Sequence, residues 1–448
     1  MTISMLGDGI YVVALAWQTY EISNAPTALA LVGIAWTAPQ LAFVLVGGVI
    51  GDRFERRRVM ILADLVRGVS IAVLGVLSLT GALELWHMFV LVGAFGIGSS
   101  LFQPSFRAFV PDVVPPALLL EANALDQFVR PLATRLVGPA IGGSIVAFVG
   151  LGEAFLLDAG SFAVSIACLL AMRTSSRPPE GARAPMSLWR DVRAGLSFVR
   201  SQRWLAGTFM AVTVAMLFFL GPVYVLMPFV VKNELDAGAQ GLGLVFAAGG
   251  VGAILASVTL GQRGLPRRPL TVMYLTWALA SLGLVGYALA DSLWQVMLVS
   301  LVSIAGLTVG EIIWITALQR LVPARLLGRV SSLDGLLSYG LVPLSYALTG
   351  PVAATLGAES ALLLAGLASG GVLCIALLLL GSVRETERAH PGLRVILGST
   401  ESDLEKAVPD LQRGPDRAEQ PAAAGGPQIA RIGAEEDRAD RVAEGRQT

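Results

Sequence analysis

The order of apolar and polar positions in this chain follows neither the period of a half-buried strand nor that of a surface helix. Apolar residues run on almost unbroken for stretches of about 20, separated by short polar breaks. Twelve such windows can be drawn, at roughly 3–22, 29–50, 59–80, 86–107, 122–149, 153–172, 205–231, 240–261, 269–290, 293–319, 330–356 and 360–381. A helix rising 1.5 Å per residue crosses a hydrocarbon core about 30 Å thick in about 20 residues. Twelve segments of that length cannot all hide in one globular core. Strands of a membrane barrel would be about 10 residues long and would alternate, which these do not. The pattern predicts an all-α polytopic membrane protein of about twelve transmembrane helices.

Composition agrees: 55% of the 448 residues are hydrophobic and 14% charged, whereas a soluble domain is about a quarter charged. Formal net charge is zero, which gives no bulk attraction to nucleic acid. The placing of charge says more. GDRFERRR follows the second window, with Arg53, Arg56, Arg57 and Arg58; Arg107 ends the fourth. Seven arginines from Arg173 to Arg203 fill the sixth connection, Arg263, Arg267 and Arg268 follow the eighth window, and Arg320, Arg325 and Arg329 the tenth. The odd-numbered connections carry Glu21, Glu84, Glu153, Asp291 and Glu359, with Lys232 as their one positive residue. Arginine and lysine resist translocation, so this asymmetry predicts a multi-pass cell-membrane protein with both termini cytoplasmic. The first residues lack the basic region and cleavage site of a signal peptide. The apolar run begins almost at Met1, and the expectation is that the natural start lies upstream.

Two polar stretches break the rhythm. Residues 173–204 read as a cytoplasmic linker whose second part is an amphipathic helix at the membrane surface, with Leu188, Val192, Leu196 and Val199 at helical spacing. Residues 383–448 are rich in Arg, Glu, Asp, Ala, Gly and Pro and are expected to be a disordered cytoplasmic tail. Between them lies an internal repeat. Gly51–Arg58 aligns with Gly261–Arg268, Val110-Pro111 with Val322-Pro323, Leu125-Asp126 with Leu333-Asp334, and Gly138-Pro139 with Gly350-Pro351, each about 210 residues apart. The expected organisation is a six-helix bundle over 1–172, the linker, and a second, pseudo-symmetric bundle over 205–382. Duplicated bundles of this kind place a substrate site at their interface near the midplane.

GGVIGDRFERRR resembles the loop signature of the major facilitator superfamily, Gly-x-x-x-Asp-Arg-x-Gly-Arg-Arg, through Gly48, Asp52, Arg53, Arg56 and Arg57, with Glu55 in place of its third glycine. The resemblance runs from about residue 1 to 382 and implies that superfamily's twelve-helix fold. FQPSFRAFVPDVVPPALLLEANALDQFVRPLATRLVGPAIGG is similar to the branch holding the enterobactin exporter and macrolide or tetracycline efflux proteins. GPAIGG, with Gly138, Pro139, Gly142 and Gly143, resembles the superfamily's antiporter signature, its earlier glycine being Thr134 here. The resemblance implies a cytoplasmic gate built on the loop charges. Asp52 is expected to face the N-terminus of a helix starting near Ser331, and Arg56 or Arg57 acids at neighbouring helix ends such as Asp112. The fourth-span arginine usual in drug–proton antiporters of the superfamily has no counterpart before Arg107.

An ionisable residue inside a span costs about 2.5–3.5 kcal/mol on insertion scales and is a functional candidate. Asp8 and Glu311, which lack a partner on their own helices, are the candidates for proton coupling. Asp64 with Arg67, Asp126 with Arg130, and also Arg135 and Asp158 are candidates for structural charge pairs. Tyr11, Trp17, Trp36, Gln40, Gln103, Tyr224, Trp277, Trp314 and Tyr339 are candidate walls of an apolar, aromatic cavity. Cys168 and Cys374 sit in apolar runs and His87 and His390 outside them, so no metal site is expected. No nucleotide loop and no nucleophile–base set is visible, so neither an enzyme nor a cofactor is expected, and the proton gradient is the energy source. The reading is proton-coupled efflux of an amphiphilic drug-like compound. Export of a siderophore, metabolite or lipid, and a non-transporting membrane sensor, stand as alternatives. The expected partners are a small-molecule substrate and the lipid bilayer, with no nucleic acid. Oligomeric state is open, and a monomer is compatible with the sequence.

Overall fold

In hydrocarbon every backbone N–H and C=O must be satisfied within its own segment, and so each apolar window folds as helix. The computed structural model describes residues 2–53, 55–115, 118, 125–126, 128–172 and 188–389. The helices are α1 (Thr2–Ile22), α2 (Pro26–Arg53), α3 (Arg56–Leu79), α4 (Leu85–Val113), α5 (Gly138–Phe148), α6 (Leu151–Ala171), α7 (Leu188–Ser201), α8 (Arg203–Phe229), α9 (Gly238–Arg263), α10 (Pro269–Ala288), α11 (Leu293–Leu321), α12 (Ala324–Gly340), α13 (Val342–Leu356), α14 (Ala358–Leu379) and α15 (Gly381–Ala389). No strand occurs among the described residues. Eleven of the described spans are long and apolar enough to cross a membrane. The twelfth expected span, α1, has the length but is diluted by Asp8, Gln18 and Glu21.

Proline shapes two spans. Pro139 has no N–H to offer the carbonyl four residues back, and a π-helical turn, Leu132–Val137, leads into α5. The eleventh span is broken at Leu341 between α12 and α13, just before Pro343. Its helix begins at Ala324. Ser331, expected to mark its N-terminus, lies in mid-helix with its N–H inside the ladder.

The packing repeats itself. In the first half α2 packs on α4, α3 on α4 and α6, and α1 on α5 and α6. In the second, α9 packs on α11, α10 on α11 and α14, and α8 on α13 and α14. Each contact has its counterpart, and the two main contacts between halves, α2 with α13 and α9 with α5, are counterparts too. This is two pseudo-symmetric six-helix bundles. The largest buried apolar cluster holds side chains of both halves, among them Tyr20, Leu29, Val225, Leu242 and Tyr346. The other two clusters each belong to one half: Met60, Ala63, Phe102, Phe109 and Leu169 in the first, and a set around Leu205, Tyr274, Trp277 and Trp314 in the second. The described core is thus joined at one end of the molecule and divided at the other.

Two expectations about the polar stretches are corrected. The amphipathic helix α7 packs on α12 and α8, with Val199 buried and Gly195 against Arg329 and Leu333. Where its apolar face is described, at Leu196 and Val199, it is taken by protein instead of lipid. Residues 383–389, expected to be disordered, belong to helix α15. Val383 and Glu387, one turn apart, are both buried, and Glu387 accepts from the Thr271 N–H at 2.8 Å and its hydroxyl at 2.9 Å, capping the start of α10. Residues 390–448 and 173–187 lie outside the described residues.

Candidate functional site

At the joined end, α1 meets α8 and the π-helical turn Val230–Glu234 that follows it. The Tyr20 hydroxyl donates to the Val225 carbonyl at 2.6 Å, and its ring meets Phe229 edge-on. Lys232 donates to Glu21 Oε1 at 2.8 Å while its ammonium lies 5.1 Å from the centre of the Trp17 ring. Asn24 Nδ2 donates to Asn233 Oδ1 at 2.6 Å. Among pairs of described residues these are the hydrogen bonds that join the halves.

Beside this latch, glycines let three helices touch through their backbones. A Cβ on Gly138 would stand 2.8 Å from the Gly9 Cα, and one on Gly142 2.7 Å from the Ile10 Cα, both on α1. A Cβ on Gly143 would stand 2.9 Å from the Gly243 Cα on α9. GPAIGG therefore sits where α5 is pressed between α1 of its own half and α9 of the other.

A set of exposed polar and aromatic groups brings the two halves into electrostatic reach of one another. Tyr339 on α12 is within electrostatic reach of Tyr224 on α8, Glu311 on α11, Asp334 on its own helix and Arg135 of the first half. Arg135 and Glu311 are exposed and make no ion pair among the described residues, and Tyr224 and Tyr339 are exposed too. Of the other expected walls, Trp314 and Tyr11 are buried, and Trp277, buried as well, borders a small cavity within the second half beside Met216, Phe219 and Leu373. Trp277 and Trp314 are buried in the second half's core with ring centres 6.3 Å apart, and Trp314 donates to Asp334 Oδ1 at 3.1 Å. Tyr11 is fully buried against Phe95 and Trp36. Large aromatic surfaces are better covered by neighbouring helices than by water. Trp36, Gln40 and Gln103 are half-buried, as is Trp17 in the latch.

A second set of charges lies in the first half, Asp64, Arg67 and Asp158 buried and Asp126 and Arg130 partly exposed. Arg67 pairs with Asp64 on α3, one turn apart, and Ser165 donates to the other Asp64 oxygen at 2.7 Å. The guanidinium lies 4.4 Å from the Phe102 ring centre and 4.6 Å from that of Phe162. Arg130 holds Asp126 through three contacts of 3.0 to 3.3 Å. Asp158 is fully buried and accepts from Ser161 at 3.2 Å. Arg135, expected among the pairs, is exposed and has no ion-pair partner among the described residues.

Of the loop signature, the side chains of Gly48, Asp52 and Arg53 lie outside the described residues, as does that of Asp112. Arg57 donates from Nε to the Leu169 carbonyl at 2.6 Å and from Nη2 to that of Leu170 at 2.7 Å. It caps the C-terminus of α6, where unpaired carbonyls favour a cation, and has no acidic partner among the described residues. Glu55, in the place of the signature's glycine, pairs with Arg58 at 2.6 Å.

The family described as "Transmembrane secretion effector", MFS_3, matches residues 1–401. The chain belongs to this family of the major facilitator superfamily. It is similar to the multidrug efflux pump Tap of Mycolicibacterium fortuitum, 28% identical over 84% of this chain and 91% of that one. It is also similar to the enterobactin exporter EntS of Escherichia coli O139:H28, 26% identical over 74% of this chain and 78% of that one. The crystal structure of the nucleoside transporter NupG shares the fold, with a TM-score of 0.67 at 10% identity over 84% of this chain and 96% of that one. The protein is a multi-pass membrane transporter of the superfamily.

For this MFS_3 transporter, sequence reasoning missed the latch. One signal was available: Lys232 is the lone positive residue on the acidic connections. Its partner Glu21 lies 211 residues away, beyond any local spacing rule.

Proposed function

We propose that this transporter is a proton-coupled exporter of amphiphilic, drug-like compounds, working by alternating access with both termini in the cytoplasm. The observation that carries this reading is a core joined at one end and divided at the other, with Tyr339 within electrostatic reach of Tyr224, Glu311 and the first half's Arg135, the groups we assign to the path between the halves. Two halves that separate at one end and can exchange ends are what alternating access requires. Exposed tyrosines beside a carboxylate and a guanidinium suit a solute with an apolar body and a polar group. The likeness to Tap supports a drug-like substrate, and that to EntS favours a second reading, export of a siderophore. The arginine-rich connections support the orientation. Asp8 and Glu311 are the coupling candidates, and one proton crossing about 150 mV yields about 3.5 kcal/mol, enough for a substrate gradient of roughly 300-fold. Asp52 is assigned to the cytoplasmic gate, so Asp52→Asn should insert normally and transport poorly.

The test is expression in an efflux-deficient bacterium, with uptake of fluorescent drugs and siderophores measured in everted vesicles. Energised vesicles should accumulate the substrate, and an uncoupler should abolish that. Uncoupler-resistant accumulation would reject proton coupling, and uptake by intact cells in place of loss would reject export.

A further inference from the structure

Among the buried polar atoms of the first half that lack a hydrogen-bond partner among the described residues are Asp8 Oδ1, the Tyr11 hydroxyl and Asp158 Oδ2, with Arg67 Nε and Trp36 Nε1 near them. The first three belong together. Gly7 presses α1 onto α6 so closely that a Cβ there would collide with Asp158 Oδ1 and stand 2.6 Å from Ser161 Oγ. Asp8 acts electrostatically on Asp158, and both act on Tyr11.

The charges around them are already engaged. From α3 come Asp64 and Arg67, and from the fifth span Arg130. Arg67 gives its Nη2 to Asp64 and packs between two phenylalanines, while its Nε has no partner among the described residues, and Arg130 is held by Asp126. The other elements against α1 add nothing. α5 has no charged residue, α2 has none before Asp52, and α8 and α9 have only Arg203 and Arg263 at their far ends. Asp8 and Asp158 are therefore a pair of carboxyls within electrostatic reach of one another across the α1–α6 contact, sharing with Asp64 the guanidinium of Arg67 while Arg130 is held by Asp126. Such a pair does not ionise fully; it keeps a proton and titrates as a unit.

We infer that Asp8 and Asp158 form a carboxyl pair that holds one exchangeable proton between the first and sixth spans, with the Tyr11 hydroxyl beside it as a donor to whichever oxygen is bare. That this proton drives export rests on the function proposed above; that the pair holds it does not. Asp158, expected to be a structural charge partner, becomes half of the site.

The test uses the full-length protein in proteoliposomes, without substrate or gradient. Infrared difference spectra over a pH series follow the C=O band of a protonated buried carboxyl. Removing either anion relieves the other of a like charge. Asp8→Asn and Asp158→Asn should therefore each lower the midpoint by about one pH unit or more, and the double variant should lose the band. A midpoint unmoved by either single variant, or one that follows sodium concentration, would overturn the pair. A hydrophobic carbodiimide, which modifies protonated carboxyls in apolar sites, gives a reading on the unaltered chain should a variant misfold. About one label per chain, divided between Asp8 and Asp158 and lost at high pH, is expected; two per chain, or labelling centred on Asp64, would overturn it. Failure here leaves proton-driven export to stand or fall on the uncoupler experiment.

Discussion

The crossing of α5 and α9 offers the most direct test of what holds the joined end. A methyl group on Gly143 would lie 2.9 Å from the Gly243 Cα and 2.7 Å from the Ala239 carbonyl oxygen, and one on Gly243 would lie 2.5 Å from the Pro139 oxygen. Ordinary contact begins near 3.4 Å, and the atoms in the way are backbone, which cannot swing aside. Gly143→Ala or Gly243→Ala must push the helices apart by roughly 0.5–1 Å, an overpacking that costs about 1–3 kcal/mol. Both glycines come from different halves, so this cost falls on the state in which the halves touch and is absent when they part. The balance should move toward parting by about 5- to 150-fold. Spin labels at exposed Thr80 and Leu289, one on each half at this end, would report it as a new, longer distance in pulsed electron resonance. The two substitutions share one contact, so the double variant should exceed either single one by less than their sum. Gly160→Ala, where a methyl meets nothing within 4 Å, is the control and should leave the distribution alone. Unchanged distances in both folded variants would refute backbone contact as the closing force.

Three further outcomes follow from the same geometry. Lys232→Gln or Glu21→Gln removes a partly exposed ion pair worth about 0.2–1 kcal/mol, so the longer distance should gain modestly, up to about fivefold, and exchanging the two charges should restore the original distribution. Arg67→Leu leaves Asp64 buried without its cation and should cost about 3–5 kcal/mol, read as a lower melting temperature, whereas Arg67→Leu with Asp64→Leu should recover much of it. Trp314→Ala should destabilise by about 3–5 kcal/mol through loss of core packing, while Tyr339→Ala should keep its melting temperature and change only transport in the vesicle assay.

What was legible in the sequence was local or periodic. The spans announce themselves because lipid demands length and apolarity, and the pairs Asp64–Arg67 and Asp126–Arg130 because three or four residues bring side chains to one helix face. The repeat foretold the pseudo-symmetric bundles. Which way a helix faces was not legible. α10 is apolar all round, so nothing in its pattern tells that Trp277 is buried within the second half. Tyr11, Asp8 and Asp158 come within electrostatic reach because α1 and α6 pack at Gly7, a contact between residues about 150 positions apart in the chain. Arg57 was read as a gate residue because the loop's charges suggest one. Its seat on the α6 carbonyls depends on how α3 enters the bundle, which no spacing rule supplies.

The seat of α7 has a mechanical consequence. It rests on α12 at Arg329 and Leu333, and a little further along that same helix are Asp334 and Tyr339. Any load applied to this short helix is therefore delivered within two turns to residues proposed above to line the path between the halves, so the connection can serve as a tiller as well as a tether.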